Sequence, residues 1–280
     1  MSSTQPTSSP SSTCTDTTIE VAKGQEVAVR MYGRKKPKET LPLVVHFHGG
    51  AFVAGDLDNG CTVGQLLERA GALVVSVAYP LSPDHPFPQP VDAGYAVLKW
   101  VHKHRTRLAG PGASVYVAGE EAGGNLAAGV ALMARDQAHP PLAGQILLSP
   151  MLDPCGGTPS VRAAMGESTA CKWADGWLQF LRCTRDAEHP YAVPAMAQRL
   201  AGLPHTLVLV GDDDPMRDEA LAYAARLQAA GLEVTRHVFA KANQWPDALL
   251  QSGIGQCPCA PEVQAQFRLF FEATRCTAPS

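Results

Sequence analysis

Short, almost uninterrupted apolar runs recur along this chain at Leu43–Phe47, Ala72–Ala78, Ser114–Ala118, Gly144–Leu148 and Thr206–Val210, with a more mixed strand candidate at Val234–Phe239. Stretches of helical length separate most of them, at Cys61–Ala70, Val91–Leu108, Gly124–Gln137 and Asp218–Ala230, with a last one at Pro261–Thr274. A strand that is apolar throughout has to be covered on both faces, and helices placed between successive strands supply both the cover and the crossover. The pattern therefore predicts an α/β fold: a mostly parallel sheet with helices on both faces. An alternating pair ahead of it, Thr18–Ala22 and Glu26–Tyr32, predicts two antiparallel strands at one edge.

One segment breaks the alternation. Asp153–Pro204 contains Trp173, Trp177, Phe180 and Leu181 but no strand-like run. An insertion at that point crosses the carboxyl edge of the sheet, where α/β ligands bind, so 153–204 is expected to form a small helical cap. Residues 1–17 are rich in Ser, Thr and Pro and are expected to be disordered, which leaves 18–280 as one domain.

Composition narrows the partners. The net charge is -3, with 18% charged residues, so neither nucleic acid nor an anionic membrane is an expected partner. No apolar run is long enough to span a bilayer, and the N-terminus lacks the basic and apolar regions of a secretory signal, which points to a cytoplasmic protein. Among the eight cysteines, Cys257 and Cys259 are the close pair. Without a second pair or nearby histidines they do not make a metal site, and reduced thiols are expected. No metal and no cofactor are expected. A small-molecule ligand or substrate is, and a homodimer is allowed.

Two local patterns carry chemistry. His46-Phe47-His48-Gly49-Gly50-Ala51-Phe52 places small residues just after a buried strand, where backbone N–H groups can turn toward a substrate oxygen. Gly119-Glu120-Glu121-Ala122-Gly123-Gly124-Asn125 joins a buried strand to a helix through a sharp turn.

With AYPLSPDHPFPQP at 78–90, HPYAVP at 189–194 and VGDDDPMRDEALAYAARL at 210–227, these stretches give the chain a resemblance to the hormone-sensitive-lipase-like esterases of the α/β-hydrolase fold. The resemblance implies a nucleophile on the elbow, an acid after the penultimate strand and a base after the last. Those positions fall on Glu121, Asp214 and Gln244. It also implies that His48, Gly49, Gly50, Ala51, Phe52 and Ala122 bind the ligand, through an oxyanion hole.

Glu121 stands where such esterases carry serine, and Gln244 where they carry histidine; of the nine histidines, only His237 follows Asp214. An amide does not accept a proton near neutral pH. The expectation from sequence is therefore a non-hydrolytic, small-molecule-binding pseudo-esterase. The alternatives are a non-hydrolytic elimination, isomerisation or cyclisation with Glu121 as general base, and a hydrolase with an unconventional Glu121 centre.

Overall fold

The computed structural model describes residues 14–154, 157–164, 167–240 and 258–275. It holds one sheet, in the order β1-β2-β4-β3-β5-β6-β7-β8. The strands are β1 (Cys14–Ala22), β2 (Gln25–Tyr32), β3 (Leu43–Phe47), β4 (Leu73–Val77), β5 (Val115–Glu120), β6 (Gly144–Leu148), β7 (His205–Gly211) and β8 (Val234–Phe239). β1, β2 and β4 pair antiparallel, and from β4 across to β8 every pairing is parallel. β3 to β6 are buried along their whole length, or nearly so, as continuous apolar runs require.

The main helices are α1 (Cys61–Arg69), α2 (Gln89–Ala109) and α3 (Ala122–Asp136). After β6 come α4 (Pro159–Ala164), α5 (Glu167–Phe180), α6 (Thr184–Ala187) and a 3-10 turn at Pro194–Met196. α7 (Arg217–Ala229) follows β7, and α8 (Ala260–Arg275) comes last. Val63, Leu66 and Leu67 of α1 share a core with Val263, Phe267 and Phe271 of α8 on one face of the sheet. Val97 and Leu98 of α2, Leu126 and Val130 of α3, and Tyr223 and Leu227 of α7 belong to the core on the other face.

Strand order fixes where a ligand can sit. The chain leaves β3 for β4 on one side and returns past β3 to β5 on the other. Neighbouring strands whose connections diverge leave a crevice at their carboxyl ends. Here that crevice lies between the ends of β3 and β5, where the Gly49–Phe52 loop and Glu121 emerge.

β1 begins earlier than composition suggests. Residues 14–17, read from their Ser/Thr content as part of a disordered 1–17 segment, pair with Tyr32, Met31, Arg30 and Val29. The reason is a cross-strand fork: Arg30 Nε and Nη2 donate to the two oxygens of Asp16 at 2.6 and 2.8 Å, and Nη1 reaches Asp58 at 2.6 Å. Such bidentate pairing adds geometric specificity to the strand pairing. Threonines at 15, 17 and 18 suit a strand as well as a linker.

Cys14, Cys61 and Cys183 are free thiols. Cys259, buried at the start of α8, is disulfide-bonded, which corrects the expectation of reduced thiols throughout. Cysteine spacing does not reveal pairing across a fold. Among the described residues no helix is long and apolar enough to cross a membrane.

Candidate active site

Glu121 sits alone between β5 and α3 with φ 55° and ψ -118°. A non-glycine residue in this region costs about 1–3 kcal/mol and persists only where its surroundings over-determine it. They do so here. Glu121 N–H donates to Leu148 O at 3.0 Å, and its carbonyl accepts from Asn125 N and Met151 N at 3.2 and 3.0 Å. The flanking glycines are obligatory on space alone: a Cβ on Gly119 would stand 2.2 Å from Gly123 O, and one on Gly123 would stand 2.0 Å from Phe47 O.

The loop after β3 is strained as well. Gly50, Ala51 and Phe52 have φ of 121°, 50° and 68°. Phe52 is pinned by stacking on Phe180 at 4.1 Å and by Trp177 at 4.9 Å. Aromatic pairs of this kind contribute about 0.5–1.5 kcal/mol each beyond their burial, enough to offset part of the strain. Gly176 of α5 presses on the same loop, since a Cβ there would lie 2.2 Å from Ala51 O. The segment after β6 thus lies directly over the loop.

These two strained turns meet through the Glu121 side chain. Its Oε2 accepts Gly50 N–H at 2.7 Å, and its Oε1 accepts Trp173 Nε1–H at 2.6 Å. Lys172 Nζ stands 3.0 Å from the same Oε1. Glu121 makes no side-chain hydrogen bond to the N-terminus of α3. Ala122, fully buried as the first residue of that helix, is therefore adjacent to the carboxylate without holding it.

His48 and Phe52 turn into the protein. The His48 ring is buried, stacked on Tyr79 at 4.3 Å, with Nδ1–H donating to Gly49 O at 2.7 Å. Burial holds its imidazole below the usual histidine range. Tyr79 Oη–H donates to His48 O at 2.8 Å, and burial pushes that phenol well above its usual range. His48, Phe52 and Tyr79 shape the loop from behind.

Asp214 follows β7 and is buried. Its Oδ1 accepts Met216 N–H at 2.8 Å, and its Oδ2 accepts the hydroxyl of Ser149, a residue after β6 held at φ 42°. Behind it, Glu219 of α7 accepts the N–H groups of Leu152 and Asp153 at 3.4 and 3.1 Å. Burial pushes the Glu219 carboxyl up to about 8. Gln244 lies outside the described residues. His237 is on β8, bonded to Glu262 of α8 at 2.8 Å.

The arrangement brings together Glu121, Gly49 and Gly50, with Asp214 two strands away on the same edge. Sequence reading missed Lys172, Trp173 and Ser149. The last had a signal, a polar residue at the carboxyl end of an apolar strand beside the elbow; Lys172 and Trp173 reach the site only through tertiary folding.

Residues 44–243 match the family model described as alpha/beta hydrolase fold. The chain is similar to esterase LipI of Mycobacterium tuberculosis, 36% identical over 70% of this chain and 62% of that protein. It is also similar to the carboxylic ester hydrolase LipN of the same organism, 37% identical over 79% of this chain and 60% of the relative. The chain thus spans about three fifths of the length of these curated relatives. Among solved structures it resembles a hyperthermophilic esterase from the archaeon Pyrobaculum calidifontis, with a TM-score of 0.81 and 32% identity over 94% of this chain and 86% of that one.

These relatives overturn the expectation of a non-hydrolytic binding protein, and with it the elimination, isomerisation or cyclisation alternative. The relatives at 36 and 37% identity and the similar solved structure are esterases, and the residues at the elbow and base positions, Glu121 and Gln244, do not outweigh that. The ordered motifs, the sheet with its strained elbow and the extent of these matches agree: the chain belongs to the α/β-hydrolase-fold family, in its hormone-sensitive-lipase-like esterase branch.

Proposed function

We propose that the chain hydrolyses small carboxylic esters at the carboxyl edge of β3 and β5. The observation that carries this reading is the Glu121 carboxylate on the elbow, 2.7 Å from Gly50 N–H. An ester carbonyl oxygen can take that donor in its place, with Ala51 and Ala122 N–H as further donors, so that charge developing on the oxygen meets preorganised dipoles. Glu121 then swings toward Trp173 and Lys172, which already hold its other oxygen. There it takes a proton from a water that attacks the acyl carbon. Collapse of the tetrahedral species breaks the acyl–oxygen bond. The departing alkoxide recovers the proton from Glu121, giving an acid and an alcohol. Asp214, held by Ser149, orders the neighbouring strand ends.

Turnover of p-nitrophenyl acetate and butyrate by the full chain tests the proposal. Hydrolysis above the buffer rate that falls in Glu121→Gln supports it. A wild type that does no better than buffer, or turnover unchanged in Glu121→Gln, overturns it.

A further inference from the structure

Directly beneath the site lies a polar cluster inside an otherwise apolar sheet. Glu120, the last residue of β5, is 1% exposed, and His46 on β3 and Ser76 on β4 are fully buried. His46 Nε2 is 2.7 Å from Glu120 Oε2, and His46 Nδ1 is 2.9 Å from Ser76 Oγ. Glu120 Oε1 accepts Gly49 N–H at 3.2 Å. Facing a carboxylate, Nε2 carries the hydrogen in either protonation state of the ring, so Glu120 accepts from both sides.

Buried polar groups are costly unless satisfied, and three of them across three adjacent central strands call for an explanation. Gly60 packs close against the ring, since a Cβ there would stand 2.8 Å from His46 Cε1. The neighbouring loop supplies the explanation. Gly50, Ala51 and Phe52 are strained, and a strained loop keeps its shape only if its anchor is fixed. Glu120 fixes Gly49 N–H, and the next residue in sequence, Glu121, takes Gly50 N–H. Consecutive carboxylates at the end of β5 therefore hold consecutive amides after β3, one from below and one from the site.

We infer that Glu120 is a positioning residue, backed by His46 and Ser76, which fixes the backbone at Gly49 so that the next amide, Gly50 N–H, points at the reacting centre. This rests on the ester-hydrolysis reading for its catalytic consequence, but its geometric content stands without it. Glu120→Leu is the direct test, because an apolar side chain of similar volume accepts no hydrogen bond. Both Gly49 N–H and His46 Nε2–H then lose their acceptor, whereas an amide could keep both once the ring moved its hydrogen to Nδ1, against Ser76 Oγ.

With p-nitrophenyl acetate as probe, kcat in folded Glu120→Leu is expected to fall about 10- to 100-fold, less than the loss of a whole oxyanion donor, while KM stays within about twofold. A merely structural role would lower the melting temperature without that split. Independently of turnover, the Gly49 and Gly50 amide resonances of the resting protein are expected to move in Glu120→Leu, and less in Ser76→Ala. Unmoved amides, or an unchanged kcat in an active protein, overturn the inference. If wild type proves inactive, the hydrolysis reading fails and the amide resonances alone decide this one. If Glu120→Leu does not fold, Ser76→Ala decides it: Gly49 amide and His46 ring resonances identical to wild type refute the relay.

Discussion

The two carboxylates at the carboxyl edge of the sheet are held in different ways. Glu121 gathers donors from two layers: Gly50 of the core loop below, and Trp173 and Lys172 of α5 above. Asp214 draws on the sheet side, from Ser149 after β6 and from Met216 N–H in its own turn. The elbow side chain therefore sits in the joint between the sheet and the segment that covers it. Asp214 sits behind that joint. Any change in how α5 lies on the loop reaches Glu121 first, and the chemistry proposed for Glu121 is gated by contacts that Asp214 does not share.

The sharpest way to break this comparison is to neutralise each carboxylate in turn. Glu121→Gln keeps the shape but removes the proton acceptor, and kcat on p-nitrophenyl esters is expected to fall about 10²- to 10⁴-fold. Asp214→Asn is expected to cost about tenfold, because it acts through Ser149 and the strand ends rather than on the reacting atoms. Equal losses would show that Asp214 serves the proton transfer directly.

Next in size is an effect on the Asp214 side. Glu219 is pushed by burial from 4.5 to about 8. Its folded form binds a proton more tightly than its unfolded form does. Its contribution is thus fully present below about pH 4.5 and is lost as pH rises through about 8. A shift of this size corresponds to on the order of 5 kcal/mol. Glu219→Gln is expected to flatten the fall in melting temperature between about pH 5 and about pH 9. A slope equal to that of wild type would mean that Leu152 and Asp153 N–H already compensate the ionised carboxyl.

How much of this could be read from sequence depends on the kind of signal. β3 and β6 begin and end where the apolar runs do, because burial on both faces leaves no other reading of Leu43–Phe47 or Gly144–Leu148. The elbow was legible in Gly119 and Gly123, whose missing side chains are a direct requirement of the turn. Residues 14–17 were misread because threonine suits a strand as well as a linker, and the Asp16–Arg30 fork that decides the matter spans a hairpin. His48 and Phe52 were expected at the ligand, since a motif gives their order and not the side to which they point. Lys172 and Trp173 carry no local signal at all: 52 positions separate Trp173 from the carboxylate it meets. Taken alone, Glu121 at the elbow and Gln244 at the base position point away from hydrolysis, and only the length of the resemblance around them outweighs that.

The smallest expected effects divide the hold of α5 on Glu121 between its two donors. Lys172 is more than half exposed, at 54%, and an ion pair that open to water contributes about 0–1 kcal/mol. Trp173 donates at 2.6 Å from a part-buried position, and a hydrogen bond to a charged group contributes about 1.5–3 kcal/mol. Trp173→Phe keeps the ring and removes the donor, so it is expected to disturb the site more than Lys172→Met does. Salt separates the two further. At 1 M ionic strength the screening length is about 3 Å, comparable with the ion-pair distance, so the effect of Lys172→Met on KM should fade while that of Trp173→Phe persists. Titrating KM against NaCl for both variants reads this directly. If Lys172→Met has the larger effect and salt leaves it unchanged, then the ammonium is shielded when substrate is bound, and α5 closes further over the elbow than it does in the free protein.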